Sequence, residues 1–294
     1  MKVNSLETIH SLDTYPIIQI SLNLNLQKHF NADTILEKVN ADFFNGLVNL
    51  QSVDLCYNNF TTLNSNIFKC LVNLKSIHLD LNNLTELESN LFRGLTKLKL
   101  IGLSHNRISS LPPDIFHNLH DLQNLYLKNN RLTSLDSNIF KGLTKLRILD
   151  LSHNKIAKLD ANIFQDLENM EIIGLEQNQI TFLEPNTFQV LGKLKELSLR
   201  LNRLNILEKH SFSGLTNLRS LFLDFNEIRN LDLNVFINLG KIEIICLDRN
   251  KFLSIEPAVF RDLGNLKAVS LRLNTLDEMN KMALKKIGSC KVSF

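Results

Sequence analysis

The sequence contains no tryptophan, and only 10 glycines, 5 prolines and 4 cysteines occur among its 294 residues. It has no glycine-rich loop of the kind that holds phosphate groups, which argues against a nucleotide site. No stretch reaches the roughly 18 consecutive apolar residues of a membrane span, so we expect no membrane-spanning segment. The formal net charge of +3 is too small to favour a nucleic-acid partner, and we expect none.

The sequence contains opposing indications of the cellular compartment in which the protein works. The cysteines, at positions 56, 70, 246 and 290, are too scattered for a disulfide framework, so we expect free thiols, which favours a reducing compartment. Residues 1–16 also lack the apolar core of a secretion signal. Two glycosylation sequons, beginning at Asn59 and Asn83, favour export instead. Cytoplasmic and extracellular locations both stay open, as does the question whether the sequence is a fragment.

One asparagine recurs every 24 residues, ten times without a slip. We call these residues the asparagine row: Asn58, Asn82, Asn106, Asn130, Asn154, Asn178, Asn202, Asn226, Asn250 and Asn274. A phenylalanine lies ten residues after each of the first nine, and Leu284 takes that place in the last repeat. This regularity accounts for a chain with 18 phenylalanines but only 3 tyrosines.

The residues before each asparagine alternate between leucine-like and variable side chains, as around Leu149 and Leu151. A period of two predicts a short strand whose leucines point inward. Strands of successive repeats should pair into a parallel sheet, with the remaining leucines and the phenylalanine filling the space behind it. The strands pair about 4.8 Å apart and the segments behind them need more room, so we expect an α/β-type solenoid that curves. The asparagine amide can donate and accept, which suits buried backbone groups.

The unit L-x-x-L-x-L-x-x-N-x-L-x-x-L-x-x-x-x-F-x-x-L-x-x, as in residues 146–169, resembles the leucine-rich-repeat family. It is most similar to the Phe-containing 24-residue class of Toll-like receptors, Slit and the acid-labile subunit. The resemblance implies a horseshoe with a concave parallel β-sheet and an irregular, short-helical convex side. It also implies a structural asparagine ladder, a protein ligand and an extracellular setting. Secreted members usually carry cysteine-rich caps, which this sequence lacks.

The repeats predict a division of the chain into three parts. Residues 1–49 form an irregular N-terminal repeat or cap, with one additional strand around Ile20 and Leu22 and an insertion near residues 26–34. Residues 50–289 are ten 24-residue repeats. Residues 290–294 are a C-terminal remnant.

The side chains expected on the outer face of the strands differ from repeat to repeat, which is typical of a recognition surface. We predict that a macromolecular partner binds there. The candidate contact residues are Arg107, Tyr126, Lys128, Arg131, Lys155, Arg200, Phe222, Asp224, Phe225, Asp248 and Arg249.

Each group of candidates also has a structural interpretation. The two phenylalanines could be packing residues, because large apolar groups are more often buried than exposed. The basic residues could form a solvated ridge with little mutual interaction. The charges of Arg200, Asp224, Asp248 and Arg272 could pair across strands and simply stabilise the sheet.

The eight histidines form no metal-binding pattern, and no cysteine and histidine are placed as a nucleophile pair. We therefore expect no metal, no cofactor and no catalysis. The predicted function is a protein–protein interaction module, as the ectodomain of a receptor or a secreted recognition protein. An intracellular adaptor or regulatory subunit is the alternative. The partner's identity and the oligomeric state stay open.

Overall fold

The computed structural model of the chain describes residues 2–3, 20–23, 42–288 and 290–294. The chain divides into two compact units, Met1–Leu146 and Arg147–Phe294. The insertion predicted near residues 26–34 lies outside the described residues.

The first unit is a series of short parallel strands. They are β1 (Lys2–Val3), β2 (Ile20–Asn23), β3 (Leu50–Asp54), β4 (Ser76–His78), β5 (Leu100–Gly102) and β6 (Asn124–Tyr126). Each strand pairs with the next, and equivalent residues of successive repeats are partners, as Val53 and Ile77 are. A bulge between Ile20 and Ser21 shifts the register of β2 on β3. β2 lies where the sequence predicts the additional strand.

The second unit repeats this pattern. Its strands are β7 (Ile148–Asp150), β8 (Ile172–Gly174), β9 (Glu196–Ser198), β10 (Ile206–Leu207), β11 (Ser220–Phe222), β12 (Asn230–Leu231), β13 (Ile244–Cys246), β14 (Ala268–Ser270) and β15 (Lys291–Ser293). The pair β10 and β12 forms a small parallel sheet of its own, and the other seven strands lie side by side in chain order. β15 therefore adds a strand to the sheet within residues 290–294.

The alternation of the sequence explains the strands. The residue three places before each asparagine is leucine in all ten repeats, and each of these leucines is 0–1% exposed. This leucine directly follows each strand, and the residues on either side of it point the other way, because successive side chains of an extended chain alternate between faces. Burial of one leucine row per strand thus holds the register, and the solenoid predicted from the 24-residue period is confirmed within each unit.

Phenylalanine rings of successive repeats stack behind the sheet. The ring centroids of Phe212 and Phe236 are 6.1 Å apart, and those of Phe236 and Phe260 are 5.8 Å apart. All three rings are buried. Parallel rings at this separation are offset-stacked, which adds to the energy of their burial. The recurring phenylalanine is therefore a core residue of the segment that returns from one strand to the next, which we call the return segment.

The asparagine row satisfies backbone groups that the strands leave buried. The Asn226 side-chain amide donates to the carbonyl oxygens of Leu199 (2.9 Å) and Leu223 (3.0 Å). Its Oδ1 accepts from the Leu204 amide at 3.0 Å. A buried backbone group without a partner costs free energy, so Asn226 stabilises these groups and ties its own repeat to the one before it.

The second unit ends in a helix and a strand. Helix α1 (Glu278–Leu284) begins at Asp277, whose carboxylate accepts from the Asn280 amide at 2.7 Å. Leu284 on this helix is buried at the place of the recurring phenylalanine. The Asn280 side chain also bonds both backbone groups of Ile255, which holds the helix against the preceding repeat. In the part of the chain that the structure describes, no helix is both long and apolar enough to span a membrane.

Candidate interaction surface

The strands expose a face of variable side chains. We call it the strand face: in each repeat, the residues four and two places before the asparagine and the residue immediately before it. The last of these residues forms the turn row: Tyr57, Leu81, His105, Asn129, His153, Gln177, Leu201, Phe225, Arg249 and Leu273. The strand face differs in size and charge from repeat to repeat, while the leucine row behind it is uniform.

Every residue of the turn row has a left-handed backbone, with φ between 52° and 59°. For a residue with a Cβ this conformation costs about 1–2 kcal/mol, and glycine or asparagine tolerates it best. Only Asn129 is such a residue, and none of the ten is β-branched. Bulky side chains thus occupy positions where smaller ones would give a more stable turn. Residues held in an unfavourable conformation in this way are candidates for a functional role.

In the second unit, two guanidinium groups lie over the ring of Phe225 in the turn row. The Arg200 Cζ is 5.0 Å from the centroid of this ring and the Arg249 Cζ is 4.9 Å away. At such distances a cation is attracted to an aromatic ring. We call Arg200, Phe225 and Arg249 the arginine–aromatic cluster. Phe225 is half-buried, so it both packs and remains accessible.

Two carboxylates lie beneath this cluster. The Arg200 Nε is 2.7 Å from Oδ2 of Asp224, and the Arg272 Nε is 3.2 Å from Oδ2 of Asp248. The arginine side chains are 46% and 63% exposed, whereas the aspartate side chains are 12% and 21% exposed. The predicted pairing of these charges across strands is present, and it leaves the guanidinium groups outermost.

Burial also affects the protonation of this region. It raises the pKa of Asp224, although the positive charge of Arg200 acts in the opposite direction. Burial likewise raises the pKa of the neighbouring Cys246 thiol, and the negative charges of Asp224 and Asp248 add to this. The thiol is therefore kept protonated, which makes it a poor nucleophile.

Phe222 lies at the end of β11 with its Cα paired to Ser198 on one side and to Cys246 on the other. Like Phe225 it is half-buried. The structure thus brings five predicted contact residues of the second unit into neighbouring repeats, together with Asp248. These five are Arg200, Phe222, Asp224, Phe225 and Arg249. Lys155 belongs to the same unit and is exposed.

The candidates of the first unit form a looser group. Tyr126 ends β6, where its Cα pairs with that of Gly102, and the half-buried Lys128 follows two residues later. Arg107 and Arg131 are exposed and follow two successive asparagines of the row. Among the described residues, no acidic side chain forms an ion pair with Lys128 or with either of these arginines.

The predicted contact set leaves out several exposed apolar residues of the turn row. Leu273 is 67% exposed and Tyr57 is 58% exposed, and Leu81 and Leu201 are less so. The complete absence of β-branched residues from this row is a signal in the sequence that could have identified the left-handed turn, since such residues avoid it.

The cysteines and the glycosylation sequons also lie among the described residues. Cys56, Cys70, Cys246 and Cys290 are all free thiols. Asn59, the first sequon asparagine, is exposed and its side chain hydrogen-bonds that of Asn83 in the next repeat at 3.3 Å. Within the residues the structure describes, no group of three or more histidine, cysteine or acidic side chains could hold a metal ion.

Solved structures of similar fold include complexes of TLR13 and of Toll. A TLR13–ssRNA13 complex is 29% identical with a TM-score of 0.73, over 88% of this chain and 44% of that one. The Drosophila Toll–Spatzle complex in its glycosylated form is 25% identical with a TM-score of 0.75, over 81% of this chain and 33% of that one. Another Toll–Spatzle structure, 20% identical with a TM-score of 0.70, covers 99% of this chain and 45% of that one, and supports the fold alone. This chain therefore spans less than half the length of each. The predicted resemblance to Toll-like receptors is confirmed.

No curated protein matches the sequence as a relative. The family model for the leucine-rich repeat matches four overlapping stretches, residues 31–80, 72–132, 121–180 and 168–228. These matches cover more than half of the 294 residues. Together with the repeat period, the uniform leucine row and the asparagine row, they show that the chain belongs to the leucine-rich-repeat family.

Proposed function

We propose that this chain is a protein-interaction module whose strand face binds a protein partner, within a receptor ectodomain or a secreted recognition protein. The observation that carries the proposal is the contrast between the leucine row, uniform in all ten repeats, and the variable strand face. Uniform residues are explained by packing, while variable exposed residues need another explanation. The Toll–Spatzle complex supports a protein partner, because a chain of that complex has a fold similar to this one.

The proposal includes no catalytic step. A thiol nucleophile must lose its proton, and burial raises the pKa of Cys56, Cys246 and Cys290. Repeat scaffolds with varied faces are used for binding many unrelated ligands, so the partner is defined by the side chains on the face and not by the fold.

Photo-crosslinking tests which face binds. A photoreactive amino acid replaces Phe222 on the strand face or, as a control, the exposed Arg261 on a return segment. Each protein is irradiated in an extract of the cells that express it, and cross-linked polypeptides are identified. We expect a discrete adduct from position 222 that is absent at position 261. Equal adducts at both positions contradict the proposal.

Paired substitutions separate binding from packing. In the double variant Phe222→Ala and Phe225→Ala, a photoreactive group is placed at Ser198, the strand partner of Phe222. We expect this variant to lose the adduct that the group forms in the protein with both phenylalanines. The Tm should fall by only a few degrees, because both phenylalanines are half-buried. A collapse of the Tm would assign both phenylalanines to packing and remove them from the binding surface.

A second candidate, an intracellular adaptor or regulatory subunit, is favoured by the four free thiols. Mass spectrometry of the protein from its native source distinguishes the two. A glycan on Asn59 or Asn83 supports the extracellular function. Four unmodified thiols with both asparagines unglycosylated overturn it in favour of the adaptor.

A further inference from the structure

We infer that the arginine–aromatic cluster binds an acidic peptide segment that also carries apolar side chains. The inference rests on the proposed function and specifies the chemistry of the partner at one part of the strand face. Phe225 and Arg249 of the cluster are successive residues of the turn row, and Leu201 and Leu273 flank them in that row. Backbone hydrogen bonds hold this row in order, since the amides of Phe225 and Arg249 donate to the carbonyls of Asp248 and Arg272.

The outermost charged groups of the arginine–aromatic cluster are its guanidinium groups. Asp224 and Asp248 lie below, and each already has an arginine partner. Arg249 is exposed and faces the Phe225 ring, and none of the described acidic side chains forms an ion pair with it. A guanidinium group lying over a ring keeps its N–H edge free, and that edge matches a carboxylate with two parallel hydrogen bonds. An approaching molecule thus meets guanidinium groups, and that of Arg249 has no acidic partner among the described residues.

Two exposed leucines of the turn row flank Phe225 and Arg249. Leu201 is 39% exposed and Leu273 is 67% exposed. Both are held in the left-handed conformation, in which asparagine would be more stable. An apolar side chain of the partner would bury this surface and remove it from water. A purely acidic ligand would leave it exposed.

A single-stranded nucleic acid fits this surface less well. Nucleic-acid bases bind proteins by stacking on aromatic faces, and two guanidinium groups already lie over the Phe225 ring. A chain of phosphates also requires several unopposed cations. Here Asp224 and Asp248 offset the charges of Arg200 and Arg272.

The test measures binding of three fluorescent polymers to the full chain by anisotropy: a random copolymer of glutamate and tyrosine, polyglutamate, and polyuridylate. We expect the copolymer to bind most tightly. Arg249→Gln should weaken copolymer binding about tenfold, the effect of losing one charged hydrogen-bonded contact. The matched control Arg261→Gln, on a return segment, should leave it unchanged. Circular dichroism melts check that both variants are folded.

A second variant tests the apolar contact independently. Leu273→Ser should weaken binding of the copolymer several-fold and leave the binding of polyglutamate as it was. The inference is overturned if the copolymer does not bind at millimolar concentration, if polyuridylate binds more tightly, or if Arg249→Gln behaves like Arg261→Gln. A specific cross-link at position 222 together with any of these results would leave the proposed function standing and reject only the acidic peptide.

Discussion

The two units contain aspartates at equivalent repeat positions, and the side chains that surround these aspartates differ. Asp80 in the first unit and Asp248 in the second both lie two residues before an asparagine, and each accepts from a backbone amide of the next repeat. The distances are 2.8 Å to Ser104 and 2.7 Å to Arg272. The side chains around them differ. Asp80 extends over Gly102, where a Cβ would clash with its Oδ2. Asp248 instead accepts from Ser270 and pairs with the Arg272 side chain.

This difference shows that the repeat sets the backbone and the neighbouring repeat sets the chemistry. The interior rows are interchangeable between the units, because a buried leucine or asparagine has the same surroundings in each. On the strand face, the environment of each aspartate depends on the residues that lie 22 and 24 positions after it in the next repeat. Equal effects are therefore expected for changes inside the solenoid, and unequal effects for changes on the face.

The largest expected effect tests the interior. Asn106→Ala in the first unit and Asn226→Ala in the second should each lower the free energy of unfolding by about 2–5 kcal/mol. Each change leaves one buried backbone amide without a partner and removes one hydrogen bond from each of two buried carbonyls, which keep a second bond from a neighbouring asparagine. Urea denaturation measures the loss. The exposed Asn205→Ala is the control and should change little. A difference of several kcal/mol between the two variants would show that the interiors are not equivalent.

The next effect tests the aspartates. Gly102→Ala places a methyl group against the carboxylate of Asp80 and should cost about 1–3 kcal/mol by displacing it from the Ser104 amide. Ser270→Ala should cost less, about 1 kcal/mol, because Arg272 still holds Asp248. Thermal melts compare the two with Gly240→Ala, where a Cβ meets nothing within 4 Å. If Gly102→Ala matches Gly240→Ala, the close approach is not important for stability.

A smaller gain in stability is expected from the turn row. Tyr57→Asn in the first unit and Leu273→Asn in the second should each raise stability by about 0.5–1 kcal/mol, because asparagine tolerates a left-handed backbone and both side chains are largely exposed. Leu273→Val should lower stability, since a β-branched residue strains this conformation. Chemical denaturation of the three variants measures the changes. Loss of stability in both asparagine variants would mean that packing outweighs the backbone preference.

Much of the fold could be predicted because one period carries it. The spacing of asparagines and leucines predicts the strands, the parallel sheet and the buried rows. β15 escaped prediction because Lys291 follows its sheet partner Ala268 by 23 residues, one fewer than the period. The strands β10 and β12 also escaped, since they lie in return segments whose sequence carries no alternation.

The candidate site could be predicted only in part. The charges of Arg200 and Asp224 two residues before successive asparagines predict an ion pair across strands, because the register alone brings them together. The placement of the Arg200 and Arg249 guanidinium groups over the Phe225 ring could not be predicted. It depends on side-chain rotamers and on the left-handed backbone at residue 225. Sequence spacing places residues on a face but does not fix where long side chains end.

The smallest effect is a contrast in pH dependence between two acids of the second unit. Burial raises the pKa of Asp224, so its contribution to stability is present at low pH and is lost as the pH rises through its folded pKa. The pKa of Glu243 is lowered by its hydrogen bond with Lys267, so its contribution is lost as the pH falls. From about pH 3 to pH 7, the Tm of Asp224→Asn should rise relative to the unsubstituted protein, while that of Glu243→Gln should fall. Parallel slopes would mean that Arg200 outweighs burial at Asp224, and the carboxylate beneath the arginine–aromatic cluster would then stabilise the fold most when it is charged.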